Sequence, residues 1–337
     1  MVIGPGQISH HPHSRTSIRV RTTGSLLAQA FGSSPFSLRE AEAIEISRDR
    51  VERACSAGII QRVARGLYSV IDAAQAHEAR LAALLKRNPG LLACGSTAAS
   101  IWGIPLPPAY EVAPDVVEVT FLAGASGRRG HEEQVVARRW FIPDGHVTAG
   151  PTGQLVTDPL RTAIDLARGR PLHLALIPLD AGLRIAMEHG LTRSSAEEAL
   201  ISRWNECRSG NGMRAVGRAI PLADPLAESP LESMVRGRLV AAHLPTPHLQ
   251  VPVIGASGRH YRADMGLDLP GDAPGTFRLL IEADGMGKYA SAKDLADEKR
   301  RQHDLERAGR TFVRVLYDEA LYHPGEFLGT IDHLIRP

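Results

Sequence analysis

Three carboxylates near the end of the chain stand at a spacing suited to a divalent cation. Asp264 lies in the run HYRADMGLDL, Glu282 and Asp284 lie in RLLIEADG, and Lys288 follows Asp284 by four residues. If both runs are strands, side chains alternate between faces and Glu282 and Asp284 project the same way. Carboxylates sharing a sheet face repel one another unless a cation is shared among them. Ligands that are all oxygen suit a hard ion, magnesium or manganese. The chain holds 35 arginines and four lysines, and Lys288, Lys293 and Lys299 are three of those four. Where arginine is the default cation, lysines beside carboxylates point to a compact amine that can release a proton. The competing reading is a solvated edge whose acids and bases neutralise each other.

The elements that must position these groups follow a mixed order. A helix in PLESMVRGRLVAAH, carrying Glu232, precedes the strands HLQVPVIG, RHYRADMGLDL and FRLLIEADG. Next come the charged helix AKDLADEKRRQHDLERAG, stopped by Gly309, the strand TFVRVLYD and a last helix near PGEFLGTIDHLI. The order is αβββαβ. As a charge run, Lys299, Arg300 and Arg301 on the charged helix read as a solvated helix face.

A second basic set lies at the other end. Residues 1–24 are rich in Gly, Pro, Ser and His and read as a mobile tail. A helix follows from Ser25, and SLREAEAIEI opens with Ser37 and Glu40 in capping-box spacing. Ile46-Ser47 leads into RDRVERACSAG, closed by Gly58, and then IIQRVARGLYSV reads as a hairpin around a basic turn. Helix, turn, helix and hairpin is the layout of a winged helix-turn-helix. Arg48, Arg50 and Arg53 would open the helix that enters the major groove of duplex DNA, with Arg62 and Arg65 on the wing against the backbone. The alternative is a helical hairpin used only for packing.

The expected fold class is α/β (α+β) in three parts: the winged helix over 25–90, a middle α/β domain over 91–220, and the αβββαβ domain over 221–337. In the middle part VVEVTFLAG and QVVARRWFI read as strands, Ser96 as an N-cap, and Thr157 or Asp158 as the cap of a helix with Pro159 in its first turn. Arg161 and Asp165 stand four apart and are expected to pair on the helix surface. The proline-rich RAIPLADPLAESP reads as a domain boundary. No run approaches the roughly 18 to 20 apolar residues of a membrane span, and the start lacks a signal-peptide layout, so a cytoplasmic protein without a membrane partner is expected. Cys55, Cys94 and Cys207 form neither a disulfide framework nor a CxxC site, which points to a reducing compartment.

Through ESMVR, YRAD, IEADG and EKRRQHDLERAGRTFVRV, roughly residues 226–320, the C-terminal part resembles the PD-(D/E)XK nuclease superfamily, and within it the very-short-patch-repair-like endonucleases. The resemblance implies magnesium- or manganese-dependent hydrolysis of DNA phosphodiesters, in repair or in phage and plasmid defence. On that resemblance Asp264, Glu282 and Asp284 would hold the metal, Glu232 a second ion or its water, Lys288 would act near the attacked phosphate, and Lys299, Arg300 and Arg301 would grip DNA phosphates. Two departures stand out. Asp284 occupies the slot where a lysine usually follows the glutamate, and GMGKY stands where a histidine is common. The structural zinc of the repair enzymes is not expected, for want of a cysteine pair.

The N-terminal two thirds resemble the AbiEi-type antitoxins of type IV toxin–antitoxin systems, through RVARGLYSV, GSTAASIWGIPLP and VTDPLRTAIDLA. That likeness implies a DNA-binding regulator without chemistry of its own, and a toxin protein as partner. Two function classes follow: a DNA endonuclease, or a non-enzymatic regulator with a nuclease-derived C-terminal domain.

Overall fold

The computed structural model describes residues 13–70, 76–88, 90–111, 116–122, 135–269, 271–273, 275–284 and 292–336. They fall into two compact units. One is made of residues 1–93, 113–140 and 152–155, the other of residues 94–112, 141–151 and 156–337. The class is mixed α/β, as expected. Among the described residues no helix is long and apolar enough to cross a membrane.

The first unit begins with the winged helix. Helices His13–Phe31, Leu38–Glu42 and Arg48–Ser56 pack around Leu27, Ala41, Ile46, Val51 and Ala54. Strands Gln61–Ala64 and Leu67–Ser69 form the hairpin, and the short strand Phe36–Ser37 pairs with the second of them. The capping box is present: Ser37 Oγ accepts the Glu40 N–H at 3.2 Å, and Glu40 accepts the Ser37 N–H at 2.8 Å. The expectation of a tail over residues 1–24 is corrected, because the first helix already runs from His13. Thr23 is buried, and Gly24 lies against Ile59 where a Cβ would collide. Residues 1–12 lie outside the described residues. Helix Ala76–Arg87 follows, then strand Leu91–Ala93, which pairs antiparallel with Val117–Phe121. The strand expected over QVVARRWFI is shorter, Val135–Ala137, and runs parallel to Val117–Phe121.

The second unit carries the αβββαβ order. Helix Pro230–Ala241 leads to strands His248–Ile254, His260–Leu267 and Leu279–Asp284, then helix Ala292–Arg307 and strand Thr311–Leu316. The last strand lies parallel beside Leu279–Asp284, and the other pairs in this sheet are antiparallel. Alternation along Leu279–Asp284 sends Leu279, Ile281 and Ala283 into one core, with Leu231, Met234 and Val235 of the opening helix. Leu280 faces a second core that contains Leu305 of the charged helix. The period of two breaks in the neighbouring strands. Leu249 and Met265 join the first core, whereas Val251 and Ala263, two residues away on each strand, join the second. The switch falls at Gln250, which adopts φ 51°, and at Asp264, which the flanking pairs set opposite it.

Several expectations about the middle region change. No packing break occurs at residue 220. Asp180 and Arg236 form a buried ion pair at 2.6 Å, Asp180 also accepts the Asp224 N–H at 2.8 Å, and Leu174 and Ile177 share the first core with Leu231. The prolines turn the chain, but a buried carboxylate needs its cation and holds both sides together. Helix Gly95–Trp102 has Cys94 at its N-cap, with Ser96 buried inside its first turn. Asp158 caps helix Pro159–Ala167 by accepting the N–H groups of Leu160 and Arg161, each at 3.0 Å. Arg161 and Asp165 do pair, at 2.9 Å, but both side chains are fully buried. Arg161 also bonds the Phe141 carbonyl at 2.8 Å and His146 Nδ1 at 3.0 Å, so the apparent surface pair is a core hub. All three cysteines are free thiols.

Candidate DNA-binding face and acidic cleft

In the winged helix, helix Arg48–Ser56 occupies the recognition position. Arg48 begins it with a side chain 67% exposed, tethered to Glu52 at 2.8 Å. Arg53 is exposed and bonds the Asp49 carbonyl one turn back at 3.0 Å. Arg62 and Arg65 are exposed on the hairpin. Arg50 differs from the other four. Its Nε donates to Thr23 Oγ1 at 3.3 Å, joining the recognition helix to the first helix. Gly66 takes φ 74° to close the turn, a conformation that favours glycine. Arg87 donates to the Arg65 carbonyl at 3.2 Å and holds that turn. Lys86 bonds Glu40 at 2.6 Å and thereby pulls the Glu40 carboxyl down to about 2.

The cleft around the acids of the second unit has a volume of about 1300 Å³, and Asp264, Glu282, Asp284 and Glu298 share its lining with basic side chains that include Arg262, Lys299 and Arg301. Glu282 and Asp284 share a face, as their strand spacing predicted. The ladder that pairs Met265 with Ile281 sets Asp264 opposite Glu282. Asp264 is anchored, since its Oδ2 accepts the Ala283 N–H at 2.9 Å. Glu282 is 6% exposed, and burial pushes its carboxyl up, opposed by its bond to Arg301.

Arg301, expected to grip DNA phosphates, turns inward in this structure. Its Nη2 donates to Glu282 Oε1 at 2.7 Å and to the Arg262 carbonyl at 3.0 Å, while Nη1 donates to Glu298 at 3.1 Å. The buried Glu282 carboxylate, with Glu298 beside it, accounts for this inward turn. Arg300 stays outside, paired with Asp297 at 2.6 Å, and Lys299 is exposed on the lining of the cleft. Arg314, in strand Thr311–Leu316, reaches Asp284 at 3.4 Å and Glu298 at 3.0 Å. Lys288 and the side chain of Lys293 lie outside the described residues.

Among the described residues, no three His, Cys, Asp or Glu groups converge where one ion would sit. The expected triad of Asp264, Glu282 and Asp284 is thus not assembled, because Asp284 is drawn to Arg314 and Glu282 to Arg301. The facing pair Asp264 and Glu282 still offers the kind of donor set that magnesium uses when it keeps most of its waters. In donor chemistry the pair fits the ion.

Glu232 sits behind this pair. It is 5% exposed and bonds the Glu228 N–H at 3.0 Å, Ser229 Oγ at 2.8 Å and Gln250 Nε2 at 2.7 Å. Burial pushes its carboxyl up, and the nearby charge of Asp264 adds to the rise. Glu232 is therefore occupied as the capping acid of its helix and as the partner of Gln250, and it does not line the cleft. Sequence reading missed Glu298, Arg314 and Gln250. An arginine between Val313 and Val315 in an otherwise apolar strand was a usable signal for one of them.

Residues 26–71, which span the winged-helix elements, match the model of a family described as transcriptional regulator, AbiEi antitoxin. The chain is also similar to two proteins of Mycobacterium tuberculosis, uncharacterized protein MT2308 of strain CDC 1551 / Oshkosh and uncharacterized protein Rv2248 of strain ATCC 25618 / H37Rv. Each is 32% identical over 186 residues, 55% of this chain and 64% of the relative. The match thus spans slightly less than two thirds of these relatives' own length. The crystal structure of the RV2827C protein from Mycobacterium tuberculosis aligns with a TM-score of 0.36 and 14% identity, over 69% of this chain and 84% of that one. An overlay at that level does not define a shared fold.

Proposed function

We propose that the chain is a DNA-binding transcriptional regulator of the antitoxin kind, acting through its winged helix. The observation that carries this reading is the coincidence of the regulator-family match over residues 26–71 with a recognition helix and wing bearing Arg48, Arg53, Arg62 and Arg65 on exposed positions. Guanidinium groups there would contact phosphates and place the helix in the major groove. Each neutralised phosphate releases counterions, so binding should weaken as salt rises. A toxin protein is the partner this reading implies. The test is fluorescence anisotropy of the full chain on duplexes from its own promoter region across a salt series. Absence of binding at low salt would overturn it.

A second reading, a magnesium- or manganese-dependent endonuclease, is favoured by the acidic cleft. Asp264 and Glu282 are the residues that would hold the ion. Such an ion, when bound, polarises a phosphodiester and lowers the pKa of water. Lys299 would steer the DNA backbone towards the cleft. Incubation with plasmid DNA should give nicking that requires a divalent ion and disappears in Asp264→Ala and Glu282→Ala. Nicking that persists in chelator, or in both variants, excludes this reading.

A further inference from the structure

The position of Arg301 bears on how the cleft would take a cation. Glu282 is buried on a sheet face beside the anchored Asp264, and a buried carboxylate in such a place needs a positive partner. The structure supplies one from the charged helix. Arg301 engages Glu282 Oε1 at 2.7 Å, and its side chain is only 18% exposed. Two further bonds aim the fork, one to the Arg262 carbonyl at 3.0 Å and one to Glu298 at 3.1 Å. That bond engages Oε1, and a divalent ion on Glu282, whether at Oε1 or at Oε2, would stand close to the guanidinium, where two cations in a half-buried cleft repel strongly.

We propose that Arg301 is the cation that Glu282 holds when no ion is bound, and that a divalent ion entering at Glu282 competes with its guanidinium and displaces it from Oε1. The proposal rests on the second reading given above, in which Asp264 and Glu282 are the ion's ligands. Release does not free Arg301 from the cleft. Glu298 stands three residues earlier on the same helix and keeps hold of Nη1. The Nη2 N–H that Glu282 held would then be available to an anionic oxygen such as one of phosphate. Arginine suits this part better than lysine because it stays charged in both positions. One side chain would then link the two events: the ion enters, and a phosphate-binding group is uncovered.

The test is manganese binding to the full chain without DNA, followed by the free-ion paramagnetic resonance signal and by calorimetry. The proteins are wild type, Arg301→Gln, Arg301→Lys and Glu282→Gln, each first checked for folding by circular dichroism. Arg301→Gln should bind the ion about tenfold more tightly than wild type, because the competitor is gone. Arg301→Lys, which keeps a charge but loses the fork, should fall between them, and it carries the test if Arg301→Gln does not fold. Glu282→Gln should bind no ion. If wild type binds manganese and neither Arg301 variant binds it more tightly, the displacement proposal is overturned while the metal reading stands. If no protein in the set binds manganese, both are overturned.

Discussion

The winged helix and the acidic cleft are both built around arginine, and they use it in opposite senses. In the winged helix Arg48, Arg53, Arg62 and Arg65 are exposed, and their partners are local, such as Glu52 one turn away. In the cleft Arg301 turns inward onto Glu282 and Glu298, while Arg314 stays exposed and bridges Asp284 and Glu298 at the rim. The residue type is the same, so the neighbours decide. Where acids sit on the same helix surface in water, an ion pair is weak and the guanidinium stays available to phosphate. A buried acid on a sheet face instead claims the guanidinium for itself. Counting arginines along a chain therefore overstates the DNA-facing charge unless the buried carboxylates are counted as well.

The largest test of this contrast lies in the same unit as the cleft. Asp180 and Arg236 are 1% and 3% exposed, and Asp180→Ala leaves a guanidinium buried without its carboxylate. Urea unfolding should show a loss of about 3–5 kcal/mol. A loss under about 1 kcal/mol would mean that inward-turned arginines here carry little more than surface ones.

Next in size is His173, buried at the start of helix Leu172–Glu188. Burial, and then the charge of Arg238, push its imidazole from 6.5 down to about 4. The folded state resists protonation that the unfolded chain accepts. Stability from this residue is thus fully present above pH 6.5 and is lost as pH falls towards 4, on the order of 3 kcal/mol in all. Urea midpoints of wild type and His173→Gln, compared across that interval, should show a shallower acid slope in the variant.

The winged helix should behave oppositely under substitution. Arg48→Ala combined with Arg53→Ala should reduce DNA affinity and flatten its salt slope by about one unit per lost phosphate contact, while unfolding shifts by no more than about 0.5 kcal/mol. Arg50→Ala, by contrast, should lower stability as well, because its bond to Thr23 joins two helices. Equal behaviour of all three positions in both assays would erase the distinction drawn here.

The smallest effect belongs to the capping box. Ser37→Ala should cost about 1 kcal/mol, read as a lower melting temperature, with DNA binding following only through the loss of folded protein.

Local chemistry was the legible part of this molecule. The Ser37–Glu40 box, the turn at Gly66 and the αβββαβ order could be read directly, because each depends on residues close in sequence. The partners of long side chains were not. Arg301 and Glu282 are 19 residues apart, and nothing within either segment says that the helix will lie against that strand face. The same holds for Asp180 and Arg236, which an apparent linker separates by 56 residues. Arg161 looked like a surface residue because an i, i+4 ion pair has the same spacing whether the helix face is wet or buried. Asp264 was found by its type, but its anchoring to the Ala283 N–H sits where its own strand switches faces, between Ala263 and Met265, and there a period-of-two reading predicts continuity.

The bond from Arg87 to the Arg65 carbonyl has a kinetic meaning. A wing tip left loose would have to lose its conformational freedom at the moment of docking, and that loss would count against the complex. Fastened from a neighbouring helix, the tip has already lost it during folding. Preorganisation of this kind acts chiefly on how long a complex lasts, not on how often it forms. On the DNA-binding reading proposed above, Arg87 would thus lengthen the residence time on the duplex by acting through the wing alone.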